Sequence, residues 1–202
     1  MTLREELGVK ADPEFDLDLP PGWARHGLDD DTLTTMVARV KQRCLENHRP
    51  QLFVEMKMQL EQAFAAMRQA GVFAYFCPTD PEPSTLAIPA SINASIRTAE
   101  PGQTLDDLVR SLIREHGATP LLGDKSTLRF ETERTTRLGT ATVVSHSAVY
   151  LTPVPGTQRR RALVLVAGFG RPVEVSADSD SMNAMRLLFD ACAATLMWRR
   201  AG

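Results

Sequence analysis

The side chains best equipped for chemistry fall into small, separate groups. Cys44 and His48 stand four residues apart in a helical run, the spacing at which both could face one metal ion as half of a zinc site. Neither Cys77 nor Cys192 has a Cys or His neighbour at ligand spacing, and Cys44 falls on the apolar stripe of its helix. The pair therefore reads as a core thiol beside a helix-terminal imidazole, and neither a metal nor a cofactor is expected. Ser145-His146-Ser147 brings hydroxyls and an imidazole together in sequence, but the two-residue period of a strand turns His146 away from both serines. No G-x-S-x-G elbow is present to make a nucleophile of a serine. Gly168-Phe169-Gly170 carries the start of a dinucleotide fingerprint, yet Arg171-Pro172-Val173-Glu174-Val175 reads as extended where a phosphate-binding turn would open a helix.

Arginines offer a second kind of chemistry. Gln158-Arg159-Arg160-Arg161 is the densest basic cluster and lies in an expected hairpin turn. Arg159, Arg160 and Arg161 are the side chains there that could grip a phosphate or an acidic partner, and they also suit a solvated guard beside the apolar ALVLVAGF strand. Arg134 has the parity of Leu128, Phe130 and Leu138, which places it on the expected inner face, so either a buried ion pair or a strand end that has left the core is required. An enzyme, the alternative to a binding protein, would have to assemble its site from distant residues such as Arg134, His146 and Tyr150.

The elements that must position these residues are legible from periodicity. Phe15 to Leu19 alternates and ends at Pro20-Pro21-Gly22-Trp23, a short strand halted by a proline turn. Asp29, Asp30 and Asp31 precede a helix carrying Leu33, Val37, Val40 and Cys44, with Asp31 as its expected N-cap. After Pro50 a second helix carries Phe53, Met56, Leu60, Phe64 and Met67 and closes at Gly71. Joined by Asn47-His48-Arg49-Pro50, the two are expected to form a helical hairpin over residues 29–70. Its Met and Phe stripe, Phe64 at the centre, is either core or a surface for a partner protein or a second copy.

Beyond Gly71 the period becomes that of strands. Val72 to Cys77 and Leu86 to Ile96 are expected strands, the second held to an edge or bulge by Pro89. Thr104 caps a helix running to about His116. Leu128 to Leu138, Thr142 to Thr152 and Arg161 to Phe169 follow as a meander, with Gly139 at the first turn and Pro153-Val154-Pro155-Gly156 at the second. Asp178 and Asp180 introduce a last helix carrying Met182, Met185, Phe189, Cys192 and Leu196, with Arg199 and Arg200 at its negative end. Strands in meanders interrupted by helices, without βαβ alternation, imply an α+β fold: an antiparallel sheet with helices packed on a face.

Composition narrows the function classes. The 202 residues, 43% apolar and 24% charged, suffice for one cooperative domain spanning 1–202. A net charge of −2, from 23 basic and 25 acidic residues, argues against a protein that wraps nucleic acid. The opening MTLREELGVKADPEF has no apolar run of signal-peptide length, and no stretch is long enough to span a membrane, so a cytoplasmic protein is expected. Three widely spaced cysteines fit reduced thiols in such a compartment.

Several phrases, FDLDLPPGW, AGVFAYF, LTPVPGTQRRRALVLVAGF and FDACAATLMW, resemble a group of uncharacterised actinobacterial proteins with a Val-Pro-Gly hairpin and a closing Phe-Asp helix. Outside the helix pair, the element order is similar to the PsbP-like sandwich of extrinsic photosystem subunits and LpqN-type lipoproteins. That resemblance implies a scaffold that binds proteins or small ligands, with an association with type VII secretion, and it carries over no site residues. The expected function is a non-enzymatic interaction or small-ligand-binding module.

Overall fold

The computed structural model describes residues 14–79, 83–138 and 141–199. Gly139, Arg200 and the acidic amino-terminal stretch lie outside the described residues. The chain runs β1 (Phe15–Asp16), β2 (Trp23–His26), α1 (Asp30–Glu46), α2 (Gln51–Gln69), β3 (Val72–Pro78) and β4 (Ala90–Thr98). It continues through α3 (Leu105–His116), β5 (Thr119–Leu121), β6 (Asp124–Leu138), β7 (Ala141–Pro153), β8 (Arg161–Pro172), α4 (Asp180–Ala194) and β9 (Met197–Trp198). An α+β fold with an antiparallel sheet is thus what the sequence forms.

Local signals set the helix ends. Asp29, not Asp31, is the N-cap of α1: its carboxylate accepts from the Thr32 N–H at 2.7 Å, while Asp30 and Asp31 occupy the first turn, where the helix dipole favours acids. Thr104 and Asp107 form a reciprocal capping box at the start of α3, and Gly117 ends it with φ of 63°, a left-handed conformation that glycine adopts without strain.

The main sheet has seven strands in the order β2-β3-β4-β8-β7-β6-β5. All its pairings are antiparallel. β4 pairs with β8 from Ala90↔Phe169 to Thr98↔Arg161, a junction between segments far apart in sequence. β1 and β9 make a separate small ladder that brings Phe15 opposite Trp198.

Helices cover both faces of the sheet, not one. On the first face α4 lays Met182, Phe189 and Cys192 on Phe76, Ile92, Ala94, Ala148, Tyr150, Leu165, Ala167 and Phe169. Phe189 is fully buried, stacked on Phe169 at 5.7 Å and edge-on to Trp23 at 6.1 Å. On the second face α3 sets Leu105, Leu108, Val109 and Leu112 against Leu128, Leu151, Ala162 and Val164. On that same face α2 buries Phe64 edge-on against Tyr75 of β3, and α1 and α2 touch each other through Cys44 and Met56. This double coverage explains why β8 is a nearly continuous apolar run.

Some elements differ from expectation. The strand expected from Leu86 begins only at Ala90, because Pro89 has no N–H for the ladder and residues 85–90 close tight turns instead. The Leu86 carbonyl accepts from the Trp23 indole at 2.9 Å, so this irregular stretch still anchors β2. β2 itself occupies part of what reads as a proline turn, and the strand expected over Phe15 to Leu19 shortens to Phe15–Asp16.

Phe189→Ala is expected to lower stability by about 3–5 kcal/mol, since the cavity would sit between Phe169 and Trp23, and urea unfolding measures it. Phe64→Asp places a carboxylate where no water reaches and is expected to cost about 4 kcal/mol or more, read as a fall in the thermal midpoint.

Candidate functional site

Two groups of polar residues stand out, one on each face of the sheet. On the second face, α3 covers the Ala162 and Val164 end of β8, and beyond it the side chains become small. Register builds two rows there. Thr132, Ser147, Gly168 and Ser91 lie side by side across β6, β7, β8 and β4, and Arg134, Ser145 and Gly170 form the adjoining row. Ser91, Ser145, Ser147, Gly168 and Gly170 floor a shallow hollow of about 440 Å³, rimmed by Pro89, and Thr132 and Arg134 stand beside it at the β6 end of the rows. Arg134 is exposed at the β6 end of its row, directly across from Ser145.

Gly168 is the informative member of this floor. It sits inside a regular ladder, paired with Ser91 on one side and Ser147 on the other. A Cβ built on it would meet nothing within 4 Å. A strand glycine weakens a sheet and commonly marks a bulge, a tight bend or the close approach of a ligand. Here there is no bulge and no crowding neighbour.

The other group lies under α4. Arg129, Glu131 and Glu133 alternate along β6 and face His146 and Tyr150 of β7, Arg171 of β8 and Arg186 and Asp190 around α4. Asp190 accepts from Arg129 Nε at 2.8 Å and from the Tyr150 hydroxyl at 2.7 Å. Glu131 is bound by Arg129 and by Arg186 Nε at 3.1 Å. His146, 1% exposed, is held between two carboxylates: Nδ1 lies 3.3 Å from Glu133 Oε1, and Nε2 lies 3.1 Å from Glu131 Oε2 but out of line for a hydrogen bond. Arg171 bridges Glu133 to the Val175 carbonyl.

Electrostatics in this cluster favours order over reactivity. Burial alone would raise the Glu131 pKa, but the Arg129 hydrogen bond and the Arg129, His146 and Arg186 charges outweigh it and hold it below 4.5. Glu133 is likewise held down, first by its His146 hydrogen bond and then by Arg171. Burial and the bond to Asp190 push the Tyr150 phenol far above its ordinary range, so it serves as a donor. Each carboxylate is already matched by a guanidinium, which suits a cluster that fixes the pose of α4 on the sheet.

Arg134 stands on the open face: of the two arrangements expected for it, the buried ion pair is not needed, because β6 has run past the cover of α3 and left the core at that point. His146 and Tyr150 face α4 on the opposite side of the sheet, so Arg134, His146 and Tyr150 do not converge. Phe64 is 1% exposed and spends its apolar surface inside the chain; the apolar side chains exposed on the helix pair are Leu45, Val54, Met56 and Met58.

In the β7–β8 turn, Arg159 pairs with Asp106 of α3 at 2.7 Å, and its carbonyl accepts from the first N–H of α3. Arg160 is exposed, and Arg161 joins the β4–β8 ladder opposite Thr98. The turn is therefore in part an internal clamp on α3. Cys44 is buried 3.9 Å from the Met56 sulfur. Among the described residues no cluster of three His, Cys, Asp or Glu side chains is arranged to hold a metal ion, and no helix is long and apolar enough to cross a membrane. Sequence reasoning missed the floor because its members come from β4, β7 and β8 and meet only through register.

Comparison with known proteins adds little. No protein-family model matches the chain, and no curated protein matches it. A crystal structure from Bacteroides thetaiotaomicron VPI-5482, at 1.50 Å resolution, aligns with 93% of this chain at 11% identity and a TM-score of 0.43. The chain covers 46% of that protein, less than half its length.

The Glu131 and Glu133 shifts carry a pH prediction. Because their folded pKa values lie below the unfolded value near 4.5, their contribution is complete above that pH and is lost as pH falls through the folded values. Glu131→Gln is therefore expected to lower stability at pH 7, and the gap to the parent protein to narrow by about pH 3.5, as urea unfolding at the two pH values measures.

Proposed function

We propose that this chain is a non-enzymatic binding module whose site is the open floor of the second face, and that its ligand is flat, polar and negatively charged at one end. Gly168 carries this reading. A glycine that costs a strand stability, in a regular ladder with free space above it, is accounted for by an occupant lying close against the backbone. The hydroxyls of Ser91, Ser145, Ser147 and Thr132 supply neutral donors and acceptors, and Arg134 supplies the one cation of the two rows. The helix pair, read as a hairpin standing over β3, flanks the floor on its other side. Resemblance to the PsbP-like sandwich, a scaffold used for binding, supports the same role.

The enzyme reading is weaker on geometry. The serines of the floor have no imidazole beside them, because His146 turns to the α4 face and is held there by Glu131 and Glu133.

A screen of small planar carboxylates by amide chemical shifts tests the proposal. Shifts are expected at Ser91, Ser147 and Gly168. Gly168→Leu projects a side chain into the hollow from a position where its Cβ meets nothing within 4 Å, and is expected to abolish binding while leaving the thermal midpoint within a few degrees. Arg134→Met should weaken binding by about tenfold, in line with ~1.4 kcal/mol for a charge-assisted contact. Undiminished binding by Gly168→Leu would overturn the assignment.

A further inference from the structure

A second recess, of about 290 Å³, lies on the α4 side of the sheet, away from the hollow just described. Its lining joins two chemistries, the apolar Leu196 and Trp198 and the polar Asp124, Thr127 and Thr152.

The hydroxyls of Thr127 and Thr152, residues only 6% and 7% exposed, lie 3.0 Å apart. One hydroxyl hydrogen bonds the pair together, and the second has no acceptor among the described residues. Buried donors are rarely left over, so an oxygen or other acceptor in the recess would complete the set.

Charge points to the nature of the occupant. Hydrogen bonds from the Ser126 hydroxyl and backbone N–H hold the Asp124 carboxyl below its ordinary range, so it is ionised at neutral pH. The last turn of α4 ends at Ala194 in the same recess and carries no basic side chain, so the negative end of the helix dipole lies there. Trp198 contributes an indole, the aromatic that best attracts a cation, and it is steadied by an edge-on contact with Phe15 at 6.2 Å. Arg199, next in sequence, does not neutralise the recess, because Asp16 and Glu14 hold its guanidinium.

From these features we infer that the recess binds a small organic ammonium compound that also carries an oxygen acceptor, of the choline or ethanolamine type. The ammonium group lies by Asp124 and Trp198 at the end of α4, its oxygen accepts from the threonine pair, and its methyl or methylene groups rest on Leu196.

Choline and its uncharged isostere, 3,3-dimethylbutan-1-ol, provide the test, read at the two indole N–H resonances of the chain. The Trp23 indole, bonded to the Leu86 carbonyl, is the internal control for folding. Choline is expected to shift the Trp198 signal saturably and leave Trp23 still, and the neutral alcohol is expected to bind more weakly. Asp124→Asn keeps the turn with Ser126 and is expected to weaken choline binding about fivefold, the upper range for one exposed charge. A phosphatidylcholine vesicle arm assigns the source: a shift with free choline alone identifies a dissolved ligand, and a shift with both identifies the ammonium group wherever it is carried. Equal shifts from choline and the alcohol, no saturable shift at Trp198, or unchanged binding in Asp124→Asn would overturn the inference.

Discussion

The ladder between β4 and β8 is the interaction on which the rest of the molecule depends. It joins Ala90–Thr98 to Arg161–Phe169, and without it β2, β3 and β4 would be a sheet apart from β5 through β8. Loop closure over such a span is costly in chain entropy, so the contacts that repay it must be extensive. They are: Ile92, Ala94, Leu165 and Ala167 are all buried at this seam, and α4 lies across it with Phe189 at the centre. The floor on the other face straddles the same seam, since Ser91 and Gly168 are direct partners in it.

The two faces of one sheet have been given different work. Beneath α4, aromatic packing and the ion cluster around Glu131 and His146 determine one pose of the helix; such clusters add less to stability than to the choice among alternative packings. On the opposite face α3 covers only one end of the meander, which leaves small side chains uncovered at the other. A single-residue alternation in β7 assigns His146 to the first and its flanking serines to the second.

Much of the local structure was legible from the amino acids. The periods of Leu33 to Cys44 and of Leu105 to Ile113 locate their helices, and Thr104 announces its cap because Asp107 stands three residues later. The long strands β6, β7 and β8 were readable from alternation and from the Pro-Gly turn between the last two. β2, β5 and β9 were not, since strands of two to four residues are too short to show a period and form only because a longer neighbour offers free N–H and C=O groups. Arg134 shows the deeper difficulty. Parity correctly grouped it with Leu128 and Phe130, but parity says nothing about where along a strand a covering helix stops. The floor was equally hidden, because the pairing of Ser91 with Gly168 is a property of register, which local sequence does not encode.

β5 pairs with β6 only as far as Arg129, and no strand among the described residues pairs with β6 on that side beyond it. Such an exposed edge is a template on which further strands, from other copies of the chain, can add. Glu131 and Glu133 stand along this edge, turned inward toward His146 and Arg171. An incoming strand would have to lie against these partly exposed charges and strip water from them. The ions that hold α4 in place therefore also guard the outer edge of β6 beyond Arg129 against an added strand.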